Sequence, residues 1–439
     1  MRRRARARRA RSGDTRGQSA SSGEPLTRPS ASVPPGPGGP DPTARDTLLT
    51  ACALALGAAV SLGLARFAYA LILPAMRADL GWTYFTAGAM NTANAAGYLA
   101  GALCAPWLMA RIGARRALLG GSVCAAATLA LHGFVHADAA LYTARFLTGV
   151  ASAAVFISGG LMAARLSARP GLGRGVSAGL ILGIYYGGTG LGIVACALIV
   201  PPLAAPAIDG ARAGWQWAWL ALAATALLAT GPLAIGSRAV PGDPPAQSRG
   251  GGFDGRPFAF GLMGYFMFGL GYIGYMTFIV ALLREQQLST ATVVAFYALL
   301  GVGVIVSPWL WAGLLQRHRD GRPLAVLNAL LAVATALPVL FTHPVAAFVS
   351  GALYGAVFLS VVASTTALVR HNLPQATWPA GISAFTIVFA FGQIVGPSLV
   401  GRLSDASGGL TLGLAVSAGA LLAGALLAAR QRALPTHGA

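Results

Sequence analysis

Two arginines stand where charge is expensive. Arg66 lies inside an apolar run, about two turns before Pro74, and Arg145 lies inside another, in the string Arg145-Phe-Leu-Thr-Gly149. An unpaired guanidinium at the centre of an apolar helix costs roughly 2.5–3.5 kcal/mol. Each therefore needs a partner, water or a bound anion. For Arg66 the chemical reading is a cation that receives an anionic group. The alternative is a side chain that snorkels to a polar boundary or bonds to neighbouring helix ends. Asp138 precedes Arg145 on the same helical face and offers it a partner. Coupling or structure is thus the expected role of Arg145, ahead of ligand contact. Tyr69, Tyr272, Tyr275 and Thr277 surround a repeated Gly-Leu motif, with Tyr272 at the place in the second copy that Arg66 holds in the first. Asn91, Asn94 and Tyr98 fall at i, i+3 and i+7 and share one helix face. Helix–helix hydrogen bonding explains that stripe, and Gln393, as well as ligand contact does.

Other chemistries find little support. No serine–histidine pair, metal-ligand cluster or carboxylate pair is spaced for catalysis, and His318 and His371 sit in separate loops. Neither an enzyme, a cofactor nor a metal is expected. Gly188-x-Gly190-x-Gly192 follows no strand and so is no nucleotide loop. Cys52, Cys104, Cys124 and Cys196 all fall in apolar runs without a CxxC pattern and are expected to be small buried hydrophobes.

The elements that carry these residues are apolar helices. The chain is 56% hydrophobic and 10% charged, against about 25% charged in ordinary soluble domains. About 20 apolar residues suffice to cross a bilayer as a helix. Runs of that kind occur at 48–73, 85–109, 117–135, 139–164, 176–203 and 215–235, then at 258–283, 292–315, 324–341, 345–369, 380–400 and 410–429. The fold class is an all-α membrane protein with twelve transmembrane helices. The shortest run, 324–341, carries Pro338 and is the weakest of the set.

The net charge of +19 would suit a nucleic-acid binder, but its placement points elsewhere. All the basic residues are arginines, and those outside the N-terminal tail gather in alternate loops: Arg111, Arg115 and Arg116; Arg165, Arg169 and Arg174; Arg238, Arg249 and Arg256; Arg317, Arg319 and Arg322; Arg370; Arg430 and Arg432. The opposite side receives only Arg77, Arg212, Arg284 and Arg402. The basic side of such a protein is cytoplasmic, so both termini are expected inside and no nucleic-acid partner is expected. Residues 1–46, rich in Arg, Pro, Gly and Ser, read as a disordered cytoplasmic tail.

The runs repeat. Gly63–Tyr69 matches Gly269–Tyr275, Pro106-Trp107-Leu108 matches Pro308-Trp309-Leu310, and Ala154–Ser158 matches Ala356–Ser360. Gly188 and Gly192 match Gly392 and Gly396, in the same order and at nearly constant offset. The chain is a duplication: six helices over 47–236, a cytoplasmic linker over 237–256, six more over 257–432, and a short tail over 433–439. An even number of spans per half makes the halves parallel. Gly179, Gly183 and Gly187, with the paired glycines just named, have the spacing that lets helices approach closely.

These features resemble the major facilitator superfamily, whose halves are related by an axis along the membrane normal. Ala110–Leu118 resembles that family's short basic loop, with Arg111, Gly113, Arg115 and Arg116 as gating residues, although Ala110 stands where an Asp is expected. Arg145–Gly149 is similar to its Arg-x-x-x-Gly motif. GLARFAYALILP, RFLTGVASAAVF, GYIGYMTFIV and FGQIVGPSLVG are similar to the bacterial YbfB/YjiJ branch. The resemblance implies a secondary transporter of a small organic solute, working by rocking-type alternating access, with spans 1, 4, 7 and 10 lining its cavity. A monomer in the bacterial inner membrane is expected, with the lipid bilayer and a small-molecule substrate as its partners. Arg66 and Arg145 favour an anionic solute. Multidrug-type efflux, suggested by Phe67, Phe266 and Phe268, and a non-transporting receptor or sensor are the other readings. The acidic residues all lie in tails, loops or extreme helix ends, so the usual intramembrane proton relay is missing. His132, Asp138 and Arg145 remain as coupling candidates.

Overall fold

The protein is described by a computed structural model covering residues 43–169, 176–204, 213–240, 253–406 and 408–434. The tail before residue 43, Arg174, Arg212, Arg249, most of the expected linker and the last residues lie outside this description. Twelve long helices account for the rest: α1 Ala44–Leu80, α2 Tyr84–Ile112, α3 Ala114–His132, α4 Asp138–Ser167, α5 Ala178–Leu203, α6 Gly214–Gly236, α7 Ala259–Glu285, α8 Thr290–Leu310, α9 Arg322–Leu340, α10 Pro344–Asn372, α11 Trp378–Asp405 and α12 Gly409–Ala429. A helix satisfies its own backbone where lipid offers no partner. Its ends still need caps: Thr43, Thr83, Ser177 and Ser289 each accept from a backbone N–H of the first turn of α1, α2, α5 and α8.

Eleven of these helices are long and apolar enough to cross a membrane. The short run carrying Pro338 is among them. The one that falls short is α3, whose 19 residues begin with Arg115 and Arg116 in the first turn and end on His132. It packs between α4 and α6. The cysteine reading needs correction too: Cys196 is buried, but Cys52, Cys104 and Cys124 are exposed on the outside of the helices.

The first six helices pack mainly on one another, as do the last six. The repeat glycines bring α1 against α5 and α7 against α11. A Cβ on Gly192 would stand 2.5 Å from the Ala59 carbonyl oxygen, and one on Gly396 would stand 2.5 Å from that of Leu270. Between the sets, α2 packs on α11 and α5 on α8, and the last turns of α1 meet α7. In the duplication α2 corresponds to α8 and α5 to α11. The two large junctions are therefore one contact made twice with its partners exchanged, as a two-fold axis requires.

Candidate functional site

The middle of α1 is not an α-helix. Ala59–Phe67 forms a π-helix, and the Ala68 N–H reaches back to the Gly63 carbonyl at 3.1 Å. Such a segment presents its carbonyls irregularly and often marks a functional position. Side chains from three other helices hold it. Arg145 on α4, fully buried, donates from Nη1 to the Ala65 carbonyl at 2.8 Å and from Nη2 to the Arg66 carbonyl at 3.2 Å. Its guanidinium lies 4.8 Å from the Tyr69 ring and 5.4 Å from the Trp219 ring. The Cys196 thiol on α5 donates to the Gly63 carbonyl at 3.5 Å, and the Tyr297 hydroxyl on α8 donates to the Phe67 carbonyl at 2.6 Å. The expected Asp138–Arg145 pair is not made. Asp138 accepts from the Trp82 indole at 2.9 Å, while Arg145, two turns deeper, turns to the carbonyls of α1.

Arg66 itself points across the junction of the halves. It is 4% exposed, and its Nη2 donates to Oε1 of Gln393 on α11. The guanidinium carbon lies 5.3 Å from the Tyr98 ring and 6.0 Å from the Phe67 ring, and Nε has no partner. Tyr272 on α7 is near enough to interact electrostatically with it. The polar stripe on α2 divides into three roles. Asn91 donates to Thr277 Oγ1 on α7 at 2.7 Å, Asn94 donates to the Arg145 carbonyl at 3.2 Å, and Tyr98 faces Arg66. Tyr69 and Tyr275, the repeat equivalents, stay within their own halves: Tyr69 donates to the Ala87 carbonyl at 2.8 Å, and Tyr275 bonds Ser350 at 2.6 Å and stacks on Tyr354. His132 is buried inside the first half, its ring 4.6 Å from that of Trp219. Its Nδ1 stands 2.7 Å from the Thr128 carbonyl. A carbonyl only accepts, so this nitrogen carries the proton.

Side-chain hydrogen bonds join the halves at the junction centre and toward the arginine-poor end. Asp405 at the end of α11 takes the Tyr84 and Phe85 N–H groups at 2.7 and 2.8 Å, capping α2 from the other half. The Tyr84 hydroxyl donates to Glu285, and Thr92 donates to the Ile394 carbonyl at 2.8 Å. At the opposite end Arg115 bonds Ser237 and the Ala234 carbonyl, both at 3.2 Å, closing the end of α6. Arg111 lies over Trp107, Arg116 is exposed, and Gly113 turns the chain at φ +83°, where a side chain would be strained. A cleft of about 760 Å³ opens at the arginine-poor end between Pro74, Asp79, Trp215 and Arg284. Arg66 does not line it. Tyr297, Glu285 and Asp405 were not expected as functional residues. The only hint was that two of them are carboxylates at the ends of apolar runs. Among the described residues no three His, Cys, Asp or Glu side chains converge as a metal site would.

Two sets of six helices, joined across a junction that holds a buried cation, define a multi-pass membrane transporter of major facilitator type, and not an enzyme. The chain belongs to the family described as the uncharacterised MFS-type transporter YbfB, which it matches over residues 58–429. No curated protein matches it significantly. Among solved structures it is similar to a bacterial homologue of the human lysosomal transporter Spinster in an inward-facing, unoccupied conformation. That likeness has 15% identity and a TM-score of 0.64, over 89% of this chain and 96% of that one. It is also similar to the nucleoside transporter NupG, at 13% identity and a TM-score of 0.67, over 87% of this chain and 99% of that one. At these identities the likeness is one of fold.

Proposed function

We propose that the protein carries a small organic anion across the bacterial inner membrane by rocking its two halves, with Arg66 holding the anionic group. The observation behind this reading is the company Arg66 keeps: a neutral amide, two rings and a donor without a partner, at the junction that rocking must open. A buried cation met only by neutral groups gains strongly from a carboxylate or similar anion. Asn91–Thr277 joins the halves beside it. The bonds clustered toward the arginine-poor end tie α2 to α7 and α11 there, although a cleft stays open beside them between Trp215 and Arg284, and this supports a state closed at that end. With the arginine-rich side in the cytoplasm, that state is inward-facing and both termini are inside.

Arg145 enters this mechanism by positioning the π-helix. His132 is buried in the first half against Trp219 and the Thr128 carbonyl, away from the Arg66–Gln393 contact. Facilitated movement, or a proton carried by the substrate, therefore fits better than a proton relay within the protein. The carrier works as a monomer, since the junction lies within one chain.

Uptake of carboxylates into proteoliposomes tests the reading. Wild type takes them up without need of a proton gradient, and Arg66→Gln loses at least tenfold in rate. Competition by neutral or cationic solutes but not by carboxylates would refute it. The second reading, multidrug-type efflux, draws on the rings beside Arg66. Export of a cationic drug that survives Arg66→Gln would favour it. A receptor or sensor would move no solute at all.

A further inference from the structure

The anionic group accounts for only one end of a substrate, and what surrounds Arg66 describes the other. Phe67, the next residue, crosses the junction and meets Phe358 on α10 edge-on, with centroids 5.7 Å apart. Phe358 lies within 7° of parallel to Tyr272, at 6.2 Å. Tyr272 is in turn within 19° of Phe389, at 5.5 Å. Aromatic side chains meet edge-on as readily as stacked, so a run of near-parallel rings gives the second half one dominant ring orientation. Phe358 and Tyr272 are buried, and Phe389 is only partly so. It is the member of the stack with a surface still uncovered.

A second observation limits charge. Among the described residues no carboxylate approaches this group within the membrane-spanning interior: Asp79, Asp138, Glu285 and Asp405 stand at helix ends, and Glu285 and Asp405 are engaged by Tyr84 and Phe85. A ligand ammonium here would be desolvated without a counter-charge, which is costly. We infer that the substrate is a flat, conjugated carboxylate without an ammonium group, its acid on Arg66 and its ring on the Phe358–Tyr272–Phe389 face. This rests on the anion reading above and adds the substrate class to it.

Gln393 then has a definite part. Its amide oxygen accepts from Arg66 across the junction, where the substrate's oxygen would bind. A carboxylate is the stronger acceptor and displaces it, so substrate entry breaks a bond between the halves. A glutamate at this position would be a permanent internal rival.

Binding to the full-length protein in nanodiscs, measured calorimetrically with four probes, tests the proposal. Benzoate is expected to bind roughly 3- to 10-fold more tightly than cyclohexanecarboxylate, the range of a ring-stacking contribution. Benzamide and L-phenylalanine are each expected to bind at least tenfold more weakly than benzoate. Equal binding of cyclohexanecarboxylate and benzoate would overturn the ring assignment and leave the anion reading standing. Equal binding of L-phenylalanine would overturn the exclusion of ammonium. Benzamide binding as well as benzoate, or no carboxylate binding at all, would remove the anion reading and this inference with it. Gln393→Glu should weaken benzoate at least tenfold, and Phe389→Leu should bring benzoate down to cyclohexanecarboxylate. Should either variant fail to fold, the comparison of probes on wild type decides alone.

Discussion

Arg66 and Arg145 look alike in the sequence, each a lone cation in an apolar helix, yet their surroundings give them different work. Arg145 spends its guanidinium on two backbone carbonyls of its own half, whereas Arg66 spends one N–H on a neutral amide of the other half. Removing Arg145 takes a charged donor away from two buried carbonyls, and a lost hydrogen bond to a charged group costs roughly 1.5–3 kcal/mol. Arg145→Gln is thus expected to lower the melting temperature of the detergent-purified protein markedly. Arg145→Lys keeps the charge but cannot span both carbonyls, and should recover only part of the loss. Melting unchanged in both variants, with transport abolished, would show direct substrate contact instead. Asn91–Thr277 belongs to a weaker class: hydrogen bonds between membrane helices couple by about 0.6 kcal/mol on average.

At the scale of elements, the glycine contacts and the caps set what can move. Gly190 and Gly301 face each other where α5 meets α8, and a Cβ on Gly190 would lie 2.3 Å from the Gly301 carbonyl oxygen. Backbones in such contact slide or rock but accept no added bulk. The cap on α2 is the opposite case, because its carboxylate comes from α11 and must let go when the arginine-poor end opens. A carboxylate at a helix N-terminus contributes up to ~2 kcal/mol in partly buried geometry, and 1.4 kcal/mol is a factor of ten in population. Asp405→Ala is therefore expected to raise thiol labelling of a cysteine introduced at Phe85 by up to about thirtyfold in membranes. Labelling that does not rise would mean Asp405 is no latch.

For the whole molecule, the exchange of roles at the α2–α11 and α5–α8 junctions ties the two halves to one axis. With the arginines of alternate loops on one side, a reporter fused after Arg238 is expected to read as cytoplasmic and one fused after Gln287 as external. The reverse result would place the arginine-rich side outside the cell and overturn the proposed inward-facing reading.

The number of helices, the duplication and the family were all readable from the chain. Lipid demands about 20 apolar residues per crossing, and a tandem copy leaves its mark in linear order, as in Gly63–Tyr69 and Gly269–Tyr275. These are properties of neighbours in sequence. Which partner each polar residue takes is a property of neighbours in space. Asp138 looked like the mate of Arg145 because both lie on one face of one helix, but Arg145 bonds to the Ala65 and Arg66 carbonyls of α1 instead. Gln393 lies 327 positions from Arg66, and no local pattern joins them. Only the junction of the halves, where α11 packs on α2 and the last turns of α1 meet α7, brought the cation and the amide together, because a charge withdrawn from water bonds to whatever the fold leaves within reach.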